Sequence, residues 1–160
     1  MTYGEYPQYG DSSYGASQGR HVEAGPLLPR FFARVIDGLI VGIVGSIVLF
    51  ALGLQSSIAV TGLFTGVLMF VYFVAFEVTQ GWTPGKKLLG LSVQGPGGAP
   101  KPNLQQSAIR NAYTLLPVVP FVGGLLGVIA IIVIAVTISG SPTKQGKHDE
   151  LAGGTQVLKG

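Results

Sequence analysis

The sequence predicts an all-α integral membrane protein of three to four helices with a small β element. Two observations predict it. The 160-residue chain is 48% hydrophobic and only 11% charged, against roughly 25% charged in an ordinary soluble domain. Its charges are also segregated: no Asp, Glu, Lys, Arg or His lies between Asp37 and Glu77, or between Arg110 and Lys144. Charge-free tracts of that length suit a bilayer, where a charge at the centre costs several kcal/mol.

Residues 1–29 are rich in Tyr, Gly, Ser, Gln and Pro and nearly devoid of aliphatic side chains before Leu27. Such a segment cannot bury enough apolar surface to offset the entropy of ordering, so a disordered tail is expected, with Tyr3, Tyr6, Tyr9 and Tyr14 as contact points or plain spacer. It holds no apolar signal-peptide core, so the first hydrophobic helix is expected to act as its own insertion signal. The domain proper is expected over residues 30–160.

A first span is predicted over about 31–54, long enough for a hydrocarbon core that needs about 20 residues. The short stretch Leu52–Ser57 then forces an antiparallel hairpin with a second span at 58–78. Gln80 to Gly85 is a turn cluster with Trp82 at the expected membrane boundary. Residues 88–94 suit a short strand, and Asn103 suits the N-cap of a mixed-polarity helix at 103–116, broken by Pro117 and Pro120. A very apolar helix at 121–138 and a polar tail follow, with a candidate strand at 155–159. The 103–116 helix is interfacial, re-entrant or a fourth crossing. Three full crossings would put the basic C-terminal tail (Lys144, Lys147) opposite Arg20, Arg30, Arg34, Lys86, Lys87, Lys101 and Arg110. A segment that dips in and returns keeps all of them on the cytoplasmic side, as the positive-inside rule prefers.

Several polar groups fall at span ends. Arg30, Arg34, Asp37 and Gly38 share a helical face, with Gly42 and Ser46 further along it. Asp37 lies about two turns inside the first span, with Arg34 or Arg30 as expected local partner. Glu77 lies at similar depth on the second. Intramembrane carboxylates invite a cation- or proton-handling reading; a structural salt-bridge cluster is the plainer one, and the absence of a carboxylate chain through the membrane favours it. Small-residue pairs mark each span: Gly38, Gly42 and Ser46; Gly62 and Gly66; Gly123 and Gly127. They predict close helix approach, within the chain or between copies. Thr83 to Lys87 lacks the spacing of a phosphate loop, so Lys86 and Lys87 are expected at anionic lipid headgroups. The chain has no cysteine, and His148 and Asp149, as neighbours in sequence, do not share a helix face. No metal site, no cofactor and no nucleophile–base pair is expected, hence no enzyme.

These residues together resemble the RDD family of bacterial membrane proteins, named for one arginine and two aspartates. The resemblance covers about residues 26–159. Arg30-x-x-Ala33-x-x-x-Asp37 resembles the opening pattern, and Glu77 with Gly81-x-Thr83-x-Gly85-Lys86-Lys87-Leu88-Leu89-Gly90-Leu91 the central stretch. Arg110-Asn111 and His148-Asp149-x-Leu151-Ala152-Gly153 resemble the later segments. Pro84, where Leu is usual, and the extra Gly154 before Thr155 are departures. The tail is similar to those of actinobacterial members, some called proline-rich antigens. The resemblance implies a multi-pass protein of the bacterial inner membrane. Independently of the resemblance, the basic residues beside the apolar tracts suggest contact with the lipid bilayer and no nucleic acid, and the small size and close-packing motifs suggest a homo-oligomer or a larger membrane complex. Transport, including cation/proton exchange, is the activity the resemblance suggests, and a polar cluster of Arg30, Arg34, Asp37, Glu77, Arg110 and Asp149 the site; a non-catalytic accessory subunit is the alternative.

Overall fold

The computed structural model describes residues 23–54, 57–119 and 121–160. The tail reading for residues 1–22, the connection residues Gln55 and Ser56 and the breaker Pro120 lie outside them. The elements run β1 (Glu23–Ala24), α1 (Leu27–Ala51), α2 (Ile58–Gln80), α3 (Pro84–Leu88), β2 (Leu91–Gln94), α4 (Leu104–Asn111), a 3-10 stretch (Ala112–Val118), α5 (Gly123–Gly140), α6 (Lys147–Leu151) and β3 (Gln156–Lys159).

Three helices, α1, α2 and α5, are long and apolar enough to cross a membrane. Their outer faces carry exposed apolar side chains, among them Leu39, Ile43 and Ile47 of α1 and Leu125, Ile132 and Val136 of α5, as lipid-facing surfaces do. Helix α1 starts at Leu27, four residues before the expected boundary. The expected tail is therefore too long at its C-terminal end: Glu23–Ala24 pairs as a strand, because its long-range partner β3 supplies the hydrogen bonds that its own composition could not predict.

The sheet has the order β1-β3-β2, antiparallel throughout, with Ala24 opposite Leu158 and Val93 opposite Val157. Leu91 and Val93 of β2 and Val157 of β3 alternate inward and bury against Ala33 at the start of α1. Strands from both ends of the described chain thus share one sheet, so both ends lie on one face of the helix bundle. Three crossings alone would separate them. The segment 104–118 restores the parity by running antiparallel to α2, from the level of Glu77 to that of Gly62, before α5 returns.

That segment is not one α-helix. Asn103 caps α4 with a reciprocal box: its Oδ1 accepts from the Gln106 amide at 2.9 Å, and its own amide donates to Gln106 Oε1 at 2.9 Å. The α-geometry ends at Asn111, and a tighter 3-10 limb continues through Pro117. Proline cannot donate, and it disfavours α geometry in the residue before it. The limb is held between two glycine pairs. A Cβ on Gly66 would sit 2.9 Å from Val118 Cγ2 and 3.3 Å from the Thr114 carbonyl; one on Gly62 would sit 3.2 Å from the Pro117 carbonyl. From the other side, Gly123 abuts the Leu116 carbonyl and Gly127 the Pro117 ring. The α1 motif behaves differently. The buried stripe of α1 is Ala33, Asp37, Val41, Gly45 and Leu49; a Cβ on Gly42 would meet nothing within 4 Å among the described residues, and Ser46 is exposed.

Candidate functional site

The sheet and α3 bring three carboxylates to one end of the bundle, each fully buried. Gly81 makes this geometry reachable. It closes α2 in the left-handed conformation, φ 76°, donating its amide to the Glu77 carbonyl at 3.0 Å, a C-cap that glycine adopts without steric penalty. Thr83 then caps α3, which turns back onto α1.

Asp37 receives three neutral donors: Tyr72 Oη at 2.8 Å, Thr83 Oγ1 at 2.5 Å and the Gly85 amide at 2.8 Å. Neither Arg30 nor Arg34 pairs with it, contrary to the local pairing expected from their shared helical face. Both guanidiniums reach elsewhere because α3 covers the Asp37 carboxylate first. A Cβ at Gly85 would lie 2.9 Å from the Asp37 carboxyl carbon and would overlap the Ala33 carbonyl; only glycine lets α3 come this close. The loop that lacks phosphate-binding spacing thus does hold an anion at its first turn, one supplied by the protein itself.

Glu77 is met by four donors. Lys86 Nζ and Arg110 Nη1 (3.0 Å) donate to Oε1, while Ser107 Oγ (2.9 Å) and Asn111 Nδ2 (2.8 Å) donate to Oε2. Lys86, expected together with Lys87 at lipid headgroups, is instead buried, at 6% exposure. Burial pulls its ammonium down to about 8, with Glu77 opposing the shift. Lys87 does remain exposed, 4.1 Å above the Trp82 ring.

Asp149, at the first turn of α6, accepts from Arg110 Nε at 2.7 Å, Arg30 Nη1 at 3.3 Å, Thr155 Oγ1 at 3.1 Å and the Gly146 amide at 3.2 Å. Burial opposes its charge, but Arg110 and Arg30 outweigh that and hold it below the usual carboxylate range. Arg110 bridges Glu77 and Asp149. Burial works against its charge too, and the two carboxylates reverse the effect and raise its pKa. Arg30 also donates to the carbonyls of Gly25 (2.9 Å) and Val157 (3.3 Å), tying the chain start to β3.

Arg34 stands apart. Its Nη2 donates to Asn111 Oδ1 at 3.2 Å, and its guanidinium carbon lies 3.7 Å from the centroid of Phe73. No carboxylate lies within 4 Å of it among the described residues, and its Nη1 is buried without a hydrogen-bond partner. It opens onto a cleft of about 540 Å³. Residues of α1, α2, the 3-10 limb and α5 line the cleft. Its floor is Arg30, Arg34, Lys86, Arg110 and His148. Its walls are apolar, with Val35, Met69, Ile131, Ile134 and Ile138. Asp37, Glu77 and Asp149 lie outside the lining.

The family model described as "RDD family" matches residues 24–153. The chain belongs to the RDD family. Comparison with curated proteins and with solved structures found no match. In this RDD chain the arginine and two aspartates of the resemblance do not form a triad: Arg30 holds Asp149, while Asp37 is fixed separately by α2 and α3. Sequence reasoning brought Asp37, Glu77, Arg110 and Asp149 to one end of the bundle. It did not anticipate Tyr72, Thr83, Ser107 and Thr155 as their donors. Tyr72 carried a signal, being one phenol inside a charge-free tract.

Proposed function

We propose that this membrane protein takes a guest from the bilayer into a lateral cleft between α1 and α5, and that its ion-pair network is the structural floor of that cleft. The observation that carries the reading is the cleft itself: about 540 Å³, within the 300–1,000 Å³ common for small-molecule sites, apolar on its walls and lined by residues of α1, α2, the 3-10 limb and α5. The carboxylates argue against a cation path through one protomer. Asp37, Glu77 and Asp149 are fully buried; Glu77 and Asp149 accept four hydrogen bonds each and Asp37 three, which leaves about one carboxylate lone pair, on Asp37, for a passing ion. Transport of a membrane-soluble molecule is the activity that fits.

The reading places the protein in a bacterial inner membrane with the sheet on the cytoplasmic side. Support comes from the shared sheet of β1, β2 and β3 and from the charges gathered near it, Arg30, Lys86, Lys87, Arg110, Lys144 and Lys147 among them, which the positive-inside rule assigns to the cytoplasm. A second reading, a non-catalytic accessory subunit of a larger membrane complex, is supported by the Gly38/Gly42/Ser46 face of α1, where a Cβ on Gly42 would meet nothing within 4 Å among the described residues. Native mass spectrometry after gentle extraction separates a partnered assembly from a protomer or homo-oligomer.

The cleft is tested with a nitroxide at Thr65→Cys, a clean label because the chain has no cysteine. Lateral access predicts collision with bilayer-dissolved oxygen and not with a water-soluble nickel chelate. Equal access to both, or to neither, removes the reading.

A further inference from the structure

The cleft floor holds four cations, Arg30, Arg34, Lys86 and Arg110, against two carboxylates, Glu77 and Asp149, that pair with them. Lys86 and Arg110 share Glu77, and Arg110 and Arg30 share Asp149. Asp37 is saturated by neutral donors on the α3 side and does not line the cleft. Arg34 alone among the lining cations has no carboxylate within 4 Å among the described residues, and its Nη1, closed to solvent behind the cleft surface, has no hydrogen-bond partner there. An unsatisfied buried donor on a cation is a costly state, and it is relieved by an anion.

We infer that the cleft binds one anionic phospholipid, with its headgroup phosphate on Arg34 and an acyl chain along the wall of Val35, Met69, Ile131 and Ile134. The inference rests on the lateral-cleft reading and names its ligand. Four features fit that occupant. Stacking on Phe73 fixes the guanidinium plane, and a fixed planar fork suits a phosphate oxygen pair better than a flexible ammonium does. The lining carries cations and no carboxylate, so a zwitterionic head, whose ammonium would face Arg30, Lys86 and Arg110, is disfavoured. His148, also in the lining, has its Nδ1 buried and unpartnered, and burial pushes its pKa down to about 3. It therefore offers a neutral imidazole rather than another charge. Finally, Arg34 lies seven residues from the start of α1, about 10 Å along the helix at 1.5 Å per residue. A lipid head can be drawn to that depth while its chain stays in the hydrocarbon.

The test is native mass spectrometry of the full-length protein supplied with phosphatidylglycerol or with phosphatidylcholine of the same chains. One phosphatidylglycerol per protomer is expected to persist. Arg34→Gln should weaken it about tenfold, the scale of one charge-assisted hydrogen-bond set, while Lys87→Gln, outside the cleft, should not. Ile134→Trp, which fills the wall without touching the network, should expel the lipid from a protein whose fold is unaltered. Equal retention of phosphatidylcholine, unchanged binding in Arg34→Gln, or displacement by excess inorganic phosphate would overturn the inference. If oxygen still reaches the Thr65→Cys nitroxide while any of these occurs, the headgroup assignment falls and the lateral cleft stands. If oxygen does not reach it, both fall.

Discussion

Replacing Glu77 with Gln keeps the side chain's shape and removes its charge. In the native protein four donors converge on Glu77, two of them cationic. A glutamine would accept through one oxygen and turn an NH₂ group toward donors. Lys86 would be left with no carboxylate within 4 Å, and Arg110 with Asp149 alone. Glu77 has no exposed side-chain surface and Lys86 only 8%, so solvent does little to screen the loss. Removing one member of a buried pair costs about 3–5 kcal/mol, a large part of a total of roughly 5–15 kcal/mol. For a chain of this size that is a fall of about 6–20 °C in Tm, measured by circular dichroism in detergent. Glu77→Gln combined with Lys86→Met removes the orphaned ammonium and should recover part of the loss, because the penalty belongs to the unpaired charge rather than to the pair. A single variant within about 1 kcal/mol of wild type, the level of an exposed pair, would refute the reasoning. So would a double variant no better than the single.

Further outcomes follow from the same contacts. Gly85→Ala should destabilise by about 2 kcal/mol or more, since its Cβ meets the Asp37 carboxyl and the Ala33 carbonyl. Gly42→Ala, with nothing within 4 Å, should be neutral in the protomer, and a loss of assembly in that variant would mark α1 as an interface; thermal melts and native mass spectrometry read the two effects. Acid should destabilise through His148. Its folded pKa is about 3 against an ordinary 6.5, so between those values the unfolded chain binds the extra proton and stability falls as pH drops. Asp149, ordinarily at 3.8 and lowered in the fold, adds its loss only below that value. His148→Phe should therefore flatten the Tm profile between pH 6.5 and 4.5; an unchanged slope would assign the effect elsewhere.

Hydropathy made the spans legible, because a 30 Å hydrocarbon core leaves little freedom in length or composition. The return of the C-terminus to the starting face was legible only as a charge preference. What establishes it, two residues of β1 pairing with β3, depends on contacts across most of the chain and leaves no local pattern. The Asp37 environment was misread for the same reason. Helical spacing pointed to Arg34, whereas the donors come from Thr83 and Gly85, 46 and 48 residues away. Lys86 and Lys87 look alike in sequence; α3 turns one inward and the other outward. The glycine pairs were visible, but not that two of them close on a non-α limb or that the third stays open. Each miss concerns which partner a residue meets, a property of tertiary structure rather than of periodicity.

In the proposed reading the buried carboxylates are structural counter-ions and not an ion path. Cation/proton exchange in proteoliposomes distinguishes the two roles. No sodium- or potassium-driven proton movement above empty liposomes is expected. Exchange that is present in the wild type and lost in an Asp37→Asn protein of unchanged Tm would contradict that reading.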